Sequence, residues 1–322
     1  MRSKKLPAAL LTLAAFAATS CATSSPKTSV SDLTVVGNIQ TLEIAPVLIA
    51  SERIYRPAFV VRRGNIANLS PEDPATKADL ATNAETQALR FSIRHPDLRI
   101  LMTVAEGHYR ILARRSAGIA QLSDLAGKKV ATYAPTSSGY FLHKMLQSAG
   151  LSYDDVSIVP IGDLSKVPEL MANRDADAVA IWEPYSANAE AVLGEDAIAF
   201  DGDGIYRELF NLNTTASSLA DPAKRAQIVE YVRAIIIATR MVEANPELGW
   251  QAVAKSGGFD VGEVARAWEH HSYPATLAPD LLDVMVEEEI WLAKAEMREP
   301  RSREQLEALL DRSILAEALT GL

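Results

Sequence analysis

Residues 119–185 contain the stretch that decides the fold: IAQLSDLAGKKVATYAPTSSGYFLHKMLQSAGL at 119–151, DDVSIVPIG at 154–162 and ANRDADAVAIWEPY at 172–185. Short β-rich runs alternate here with amphipathic segments, and the helix predicted over Gly139 to Ala149 ends at Gly150, a common helix-terminating residue. The other predicted elements are strands at 129–132, 156–160 and 178–181 and a helix at 164–172. Strands that alternate with helices indicate α/β units with largely parallel sheets.

The same alternation extends from Leu33 to about Phe200, whereas the chain from about Pro222 onwards is nearly all helical in pattern. The hydrophobic repeat predicts a long helix through residues 228–242, and a last helix is predicted over 303–319. A strand is predicted over 59–61, and residues 65–77 are expected to form a loop with at most one helical turn. The sequence therefore predicts an α/β protein with a helical C-terminal part.

Three motifs in this region carry a resemblance to a known family. They are Asp124-Leu-Ala-Gly-Lys-Lys-Val130, Thr136-Ser-Ser-Gly139 and Asp177-Ala-Val-Ala-Ile-Trp-Glu-Pro184. Together they resemble the nitrate, sulfonate, taurine and thiamine-precursor class of substrate-binding proteins for ABC importers. The similarity covers about residues 32–320 and departs most between Ile54 and Lys77.

The resemblance implies a two-lobed type II periplasmic-binding-protein fold, with lobe 1 at 32–112 plus 213–322 and lobe 2 at 113–212. It also implies a monomer that captures a small organic solute between its lobes and delivers it to an ABC permease in the membrane. A sulfonate- or taurine-like compound and a nitrogenous heterocycle are the two cargo classes that the family suggests. Such a protein needs no cofactor and is not an enzyme.

The N-terminus predicts export. Arg2, Lys4 and Lys5 precede an uncharged apolar run that is too short to span a bilayer, as in a secretory signal peptide over residues 1–20. Cys21 is the single cysteine and follows small residues, so we expect it to be acylated, with residues 21–31 as a flexible tether to the membrane. An ordinary cleavable signal, with an incidental cysteine, is the alternative. Either reading places the protein in the periplasm or at the cell surface.

Composition excludes several classes of protein. Removing the three positive charges of residues 1–20 changes the formal net charge from −9 to −12. An acidic chain of this kind lacks the basic surface that nucleic acid or anionic lipid requires, so neither is an expected partner. With a single cysteine the chain can form neither an internal disulfide nor a thiolate metal cluster.

Polar side chains follow several predicted strands, where open α/β sheets bind their ligands. The hydroxyls and backbone N–H groups of the Thr136–Gly139 turn suit an anionic or carbonyl group at a helix start. The predicted ligand-binding residues are Thr41, Glu43, Asn83, Glu85, Glu106, Ser137, Ser138, Gly139, Trp182, Glu183 and Asn213.

Several of these residues also have an ordinary structural interpretation. The serines of the turn could serve only to cap the helix, and Trp182 could be a core aromatic rather than a wall that stacks on a planar ligand. Glu183 could bind an amine or simply begin a helix. The family resemblance favours ligand contact for the serines, and the alternatives stay open for Trp182 and Glu183.

The charge on these loops gives a hypothesis about the ligand. Four of the predicted residues are acidic: Glu43, Glu85, Glu106 and Glu183. A small anion such as nitrate would meet several like charges in a desolvated cleft, which is unfavourable. We therefore expect a neutral, amine-bearing or zwitterionic organic solute.

No catalytic set is recognisable in the sequence. The five histidines include no H-E-x-x-H pair, the turn at Ser137 lacks the leading glycine of a nucleophile elbow, and Asp201–Gly204 lacks the remaining ligands of an EF-hand. Two other functions remain open: an enzyme on the same fold, resembling thiamine-pyrimidine synthase, and a sensory module that signals to a membrane receptor.

Overall fold

The computed structural model describes Met1, residues 33–320 and Leu322. The predicted signal peptide, Cys21 and the tether lie outside the described residues. Residues 33–322 form one compact unit. Within the described part of the chain, no helix combines the length and the apolarity that crossing a bilayer requires.

The described chain alternates strands and helices as far as residue 201 and is mainly helical after residue 216. The strands are β1 Val35–Gly37, β2 Arg62–Arg63, β3 Leu80–Ala84, β4 Leu98–Gly107, β5 Arg110–Arg114, β6 Lys129–Thr132, β7 Ser157–Pro160, β8 Ala178–Ile181, β9 Ala197–Asp201, β10 Glu208–Thr215 and β11 His271–Ser272. The helices are α1 Ala45–Ile49, α2 Glu85–Ser92, α3 Ser137–Ser148, α4 Val167–Ala172, α5 Tyr185–Leu193, α6 Ala216–Ala220, α7 Pro222–Ala244, α8 Pro246–Gly257, α9 Val261–Ala267, α10 Leu281–Ala295, α11 Arg303–Glu307 and α12 Ser313–Leu319.

The first sheet has six strands in the order β11-β4-β10-β3-β1-β2. Strands β1, β2 and β3 are parallel, while β10 runs antiparallel between β3 and β4. Neighbouring residues of one strand alternate between two cores: Val35 packs with helices α1, α7 and α8, whereas Val36 packs with α2 and α10. The first sheet is therefore covered by helices on both faces.

The second sheet has five strands in the order β7-β6-β8-β5-β9 and its own core, which includes Phe141, Leu112 and Val179. Strands β6, β7 and β8 are parallel, and β5 lies antiparallel between β8 and β9. The chain passes from the first sheet to the second at residues 108–109 and returns at 202–207. These passages lie a few residues before the expected lobe boundaries at 112/113 and 212/213.

The predicted α/β class with two sheets and a helical C-terminal part is confirmed. The parallel order expected from the alternating pattern holds for β1–β3 and β6–β8. Antiparallel strands complete each sheet because β5 and β10 are the strands at which the chain enters a sheet from the other one.

Four predicted elements are wrong in detail. The predicted last helix, 303–319, is two helices, because the chain between them hydrogen-bonds to Ile100 of β4 at Leu309 and Asp311. The strand predicted over 59–61 lies at β2 instead, where Arg62 pairs with Val36 of β1. Residues 65–77 contain two short 3-10 turns rather than one at most. Helix α3 begins at Ser137, two residues before the predicted start, because the Thr136 side chain caps it.

Candidate functional site

A cavity of about 960 Å³ lies at the carboxyl ends of strands from both sheets. The first sheet contributes the turn after β1, the end of β3 with helix α2, and the start of β10, while the second contributes the loop after β6 and the residue after β8. Its lining includes Asn38, Thr41, Glu43, Arg63, Asn83, Gln87, Arg90, Arg94, Tyr133, Thr136, Ser137, Trp182, Glu208 and Phe210. The place of the cavity matches the ligand position that open α/β sheets favour.

Two buried carboxyl groups form the acidic wall of the cavity. Glu43 is 1% exposed and Glu208 is 5% exposed, and both line the cavity. The Oε2 atom of each accepts from no N–H or O–H donor of another residue, and the two carboxyl groups hydrogen-bond to each other. Buried polar groups are nearly always partnered in folded proteins. This pair has few partners besides itself, and its position on the cavity wall makes it a candidate contact for a ligand.

Histidine and hydroxyl groups surround this carboxyl pair. His271 Nε2 lies 3.3 Å from Glu43 Oε1, and its side chain is almost fully buried. Ser137 Oγ donates to Glu208 Oε1 at 3.4 Å and lies 3.1 Å from Tyr109 Oη. The helix start at Ser137 is thereby brought against the first sheet through Glu208.

The two carboxyl groups differ in their affinity for a proton. Burial acts to raise the pKa of Glu43, but the charge of His271 and a hydrogen bond to it outweigh burial, so this pKa lies below its usual value. Burial, the Glu43 charge and the Glu85 charge raise the pKa of Glu208 well above its usual value. The Glu208 carboxyl group therefore holds its proton more strongly than the Glu43 carboxyl group does.

An aromatic wall faces the cavity from the second sheet. Tyr133, after β6, and Trp182, after β8, have ring centroids 6.0 Å apart at an interplanar angle of 60°. The Trp182 side chain is buried, and its Nε1–H has no hydrogen-bond acceptor. Phe210 adds an apolar side chain from β10. These groups can stack on a planar or aliphatic ligand and donate one hydrogen bond to it.

Side chains of helix α2 bridge the two sheets beside the cavity. Gln87 Nε2 and Arg90 Nη1 both donate to the carbonyl oxygen of Pro135, at 3.2 and 3.1 Å. Arg63 and Arg94 also line the cavity and, among the residues that the structure describes, form no ion pair. The cavity thus has an acidic interior and exposed guanidinium groups on its lining.

Five of the eleven predicted site residues line the cavity: Thr41, Glu43, Asn83, Ser137 and Trp182. Thr41 Oγ1 donates to the carbonyl oxygen of Asn38 in the turn after β1. Asn83 Oδ1 accepts the Ile66 N–H, which leaves its amide nitrogen for other contacts.

The other six predicted residues do not line it: Glu85, Glu106, Ser138, Gly139, Glu183 and Asn213. Ser138 lies within the second sheet's packing, where its Oγ donates to the Tyr133 carbonyl oxygen at 3.2 Å, and Gly139 follows it in α3. Asn213 lies within β10 and donates to the carbonyl oxygens of Ala81 and Asn211.

The remaining three acids of that group have partners within the protein. Glu183 accepts from Arg110 Nε at 3.0 Å and from the Ala187 N–H in the first turn of α5, and it lies two residues before that helix begins. Glu106 pairs with Arg207 at 3.0 Å. Glu85 accepts from the Tyr206 hydroxyl and from the Leu209 N–H.

Sequence reasoning missed Glu208, Tyr133 and His271. Glu208 begins β10, a strand that the polar run ELFNLNTT did not suggest, and Tyr133 directly precedes a predicted loop. His271 is brought to Glu43 by pairing of β11 with β4. Within residues 33–320, no three His, Cys, Asp or Glu side chains are arranged to hold a metal ion.

The family model described as NMT1/THI5 like matches residues 67–248, which is more than half of the chain. The chain belongs to the NMT1/THI5-like family. Among curated proteins it is similar to one of Haemophilus influenzae assigned to thiamine biosynthesis. The two are 25% identical over 221 residues, which cover 65% of this chain and 68% of that protein.

Solved structures share the fold of this family member at low sequence identity. The alkanesulfonate-binding protein SsuA of Xanthomonas axonopodis pv. citri, bound to MOPS, has a TM-score of 0.66 and 17% identity, with 87% of this chain and 98% of that chain covered. The periplasmic nitrate-binding protein NrtA of Synechocystis PCC 6803 has a TM-score of 0.70 and 13% identity, covering 90% and 89%. The chain therefore has the fold of these sulfonate- and nitrate-binding proteins.

Proposed function

We propose that this protein is the exported solute-binding component of an ABC importer and binds a small amine-bearing or zwitterionic organic compound. The family, the fold and the cavity at the strand ends of both sheets support a binding role. The periplasmic location named for the nitrate-binding neighbour supports export.

One observation carries the proposal: three buried polar groups that are not fully paired within the protein belong to residues that line a single cavity. They are the carboxyl groups of Glu43 and Glu208, which hydrogen-bond to each other, and Trp182 Nε1–H, which has no acceptor. Two are carboxyl groups that accept hydrogen bonds or balance a positive charge, and one is a donor beside an aromatic face. A compound with an ammonium or amine group next to a carbon skeleton satisfies this set.

The same set disfavours the anions that the neighbours are named for. Nitrate or a sulfonate placed at this wall would lie against the Glu43 carboxylate in a desolvated site, where like charges repel strongly. Arg63 and Arg94 are exposed, so they would hold an anion only weakly, but they can accommodate the acidic end of a zwitterion.

The mechanism requires no covalent chemistry. We assign the first sheet and its helices to lobe 1 and the second to lobe 2, with the passages at 108–109 and 202–207 as the hinge. A solute that contacts Glu208 on one side and Trp182 on the other stabilises the arrangement in which both are near it. The hydrogen bonds from Gln87 and Arg90 to Pro135 hold the lobes together. The closed form would then dock on the permease.

A thermal-shift panel tests the ligand class. We expect the purified protein to be stabilised by amines such as benzylamine or zwitterions such as 4-(aminomethyl)benzoate, and not by nitrate, taurine or alkanesulfonates. Trp182→Ala should weaken binding of the best compound about tenfold, because the stacking surface is lost. Ser138→Ala is the matched control, since its side chain does not line the cavity. Stabilisation by nitrate or taurine alone would contradict the proposed ligand class.

We further propose that Cys21 is lipidated and anchors the protein to the membrane after removal of residues 1–20. Intact-mass analysis of the protein from membranes should show an N-terminal Cys21 with acyl chains. Cys21→Ser should release the protein into the soluble exported fraction. A soluble wild-type protein without acyl chains would favour the ordinary signal peptide.

Two other functions share the same cavity. An enzyme on this fold would convert the bound compound, which mass spectrometry of the compound after incubation would detect. A sensory module would close on its ligand without transporting it, so deletion of the gene would leave uptake of the ligand unchanged.

A further inference from the structure

The carboxyl pair Glu43 and Glu208 contains more potential negative charge than its surroundings balance. The basic side chain beside the pair is that of His271, with its Nε2 3.3 Å from Glu43 Oε1. The other titratable groups that face the pair are phenols and acids: Tyr109, Tyr206, Tyr273, Tyr185, Glu85 and Glu288.

His271 contacts only one of the two carboxyl groups, that of Glu43. A second carboxylate at hydrogen-bond distance from the first would be a buried, uncompensated charge, which proteins avoid by retaining a proton. Glu208 holds this proton because Glu43 is the member that faces His271, while Glu208 faces the hydroxyl groups of Ser137 and Tyr109.

We propose that the solute is an organic cation that displaces this proton, so that one proton leaves the protein for each cation that binds. The inference deepens the proposed function and rests on it for the amine-bearing class. The step is Glu208–COOH plus R–NH3⁺ giving Glu208–COO⁻ paired with R–NH3⁺, and the released proton goes to bulk water. Only the O–H bond of Glu208 breaks, and the charge inside the cavity is the same before and after binding.

The exchange also determines which compounds the cavity selects. A cation restores the balance once the proton has left, and both carboxyl groups belong to residues that line the cavity. A neutral compound of the same shape leaves the proton in place and gains only hydrogen bonds and stacking. An anion adds a second negative charge to a wall that already has one.

Isothermal titration calorimetry with benzylamine tests the exchange directly. Titrations at pH 7 in phosphate and in Tris, which differ in ionisation enthalpy, count the protons released. We expect about one proton per bound benzylamine and an affinity that falls about tenfold for each pH unit below neutrality. Benzyl alcohol, the neutral counterpart, should release none.

Glu208→Gln should abolish the proton release and flatten the pH dependence, because the amide has no proton to give. Glu106→Gln is the matched control: Glu106 is an acid outside the cavity, and this variant should behave as wild type. If Glu208→Gln fails to fold, the number of protons released by the wild type and the pH dependence of its affinity still test the exchange.

Each outcome has one meaning. Binding of benzylamine to the wild type without proton release, or continued release by Glu208→Gln, overturns the exchange and leaves the proposed function standing. Failure of benzylamine to bind the wild type, while taurine or nitrate binds, overturns the proposed ligand class and the exchange together.

Discussion

Glu289→Gln is expected to lower the free energy of unfolding by about 3 kcal/mol at pH 7 and to have little effect near pH 2. The Glu289 side chain is 1% exposed and accepts hydrogen bonds from two guanidinium groups, those of Arg298 and Arg301, and from the Arg301 N–H. Arg301 also donates to Leu89 and Ser92 of helix α2. The carboxylate therefore joins the chain after α10 to the first sheet's helical layer.

The pH dependence follows from the pKa of Glu289. Burial acts to raise this pKa, but the hydrogen bonds from Arg301 and Arg298 outweigh it and lower the pKa from 4.5 to about 2. A lowered pKa means that the stabilisation is complete above pH 4.5 and is lost as the pH falls towards 2. Each pKa unit corresponds to about 1.4 kcal/mol, which gives the 3 kcal/mol expected.

Urea unfolding of wild type and variant between pH 2 and pH 7 measures the effect. Asp283→Asn is the matched control, because Asp283 of α10 pairs with Arg303 at 2.6 Å but is 63% exposed. This exposed pair should contribute less than about 1 kcal/mol. Equal effects of the two substitutions at pH 7 would show that the Glu289 network contributes no more than a surface ion pair.

The sequence predicts the fold well where elements repeat a simple pattern. Strands β6–β8 and helix α3 follow from alternating β-rich and amphipathic segments. Strand β10 was missed because its buried polar side chains satisfy one another within the sheet. Asn211 accepts from Thr103 Oγ1, and Thr214 Oγ1 donates to the Asp79 carbonyl oxygen. The hydrophobic alternation of β10 is short, being limited to Phe210 and Leu212 with Asn211 and Asn213.

For the candidate site, the sequence could predict which loops contribute residues but not how the side chains of those residues are oriented. Thr41, Asn83 and Trp182, which were chosen for their positions after strands, line the cavity because strand ends share one edge of a sheet. The orientation of acids could not be predicted in the same way. Glu183 turns to Arg110 of a neighbouring strand, whereas Glu208 enters the cavity from a strand that the pattern did not suggest. The orientation of each acid depends on its partners in the folded structure, and those partners lie far from it in the sequence.

Glu288→Gln is expected to raise the free energy of unfolding by more than about 1 kcal/mol at pH 7 while changing it little at pH 4.5. Glu288 of α10 is fully buried, accepts from Thr86 Oγ1 at 2.9 Å and shares a hydrogen bond with Glu85. Burial and the Glu85 charge raise the pKa of Glu288 well above 4.5, and burial raises the pKa of Glu85 to about 7. The folded state therefore retains protons that the unfolded state loses.

The direction of the pH effect follows from this difference in bound protons between the folded and unfolded states. An acid whose pKa is raised on folding gives its full stabilisation below pH 4.5, and stability falls as the pH rises towards the folded-state pKa. Glutamine has nearly the same shape, accepts from Thr86 and donates to Glu85, but it has no proton to lose on unfolding. The variant therefore keeps the stability that the wild type loses between pH 4.5 and 7.

Urea unfolding at the two pH values isolates the effect, because any change in packing contributes at both. Glu287→Gln is the matched control: it is the preceding residue of α10, 61% exposed, and pairs with Lys144 at the surface. Its effect should be small and nearly independent of pH. Equal destabilisation by Glu288→Gln at both pH values would contradict this prediction. Glu288 would then act through a specific hydrogen-bond geometry that an amide does not reproduce. Its proton would not be what limits stability at neutral pH.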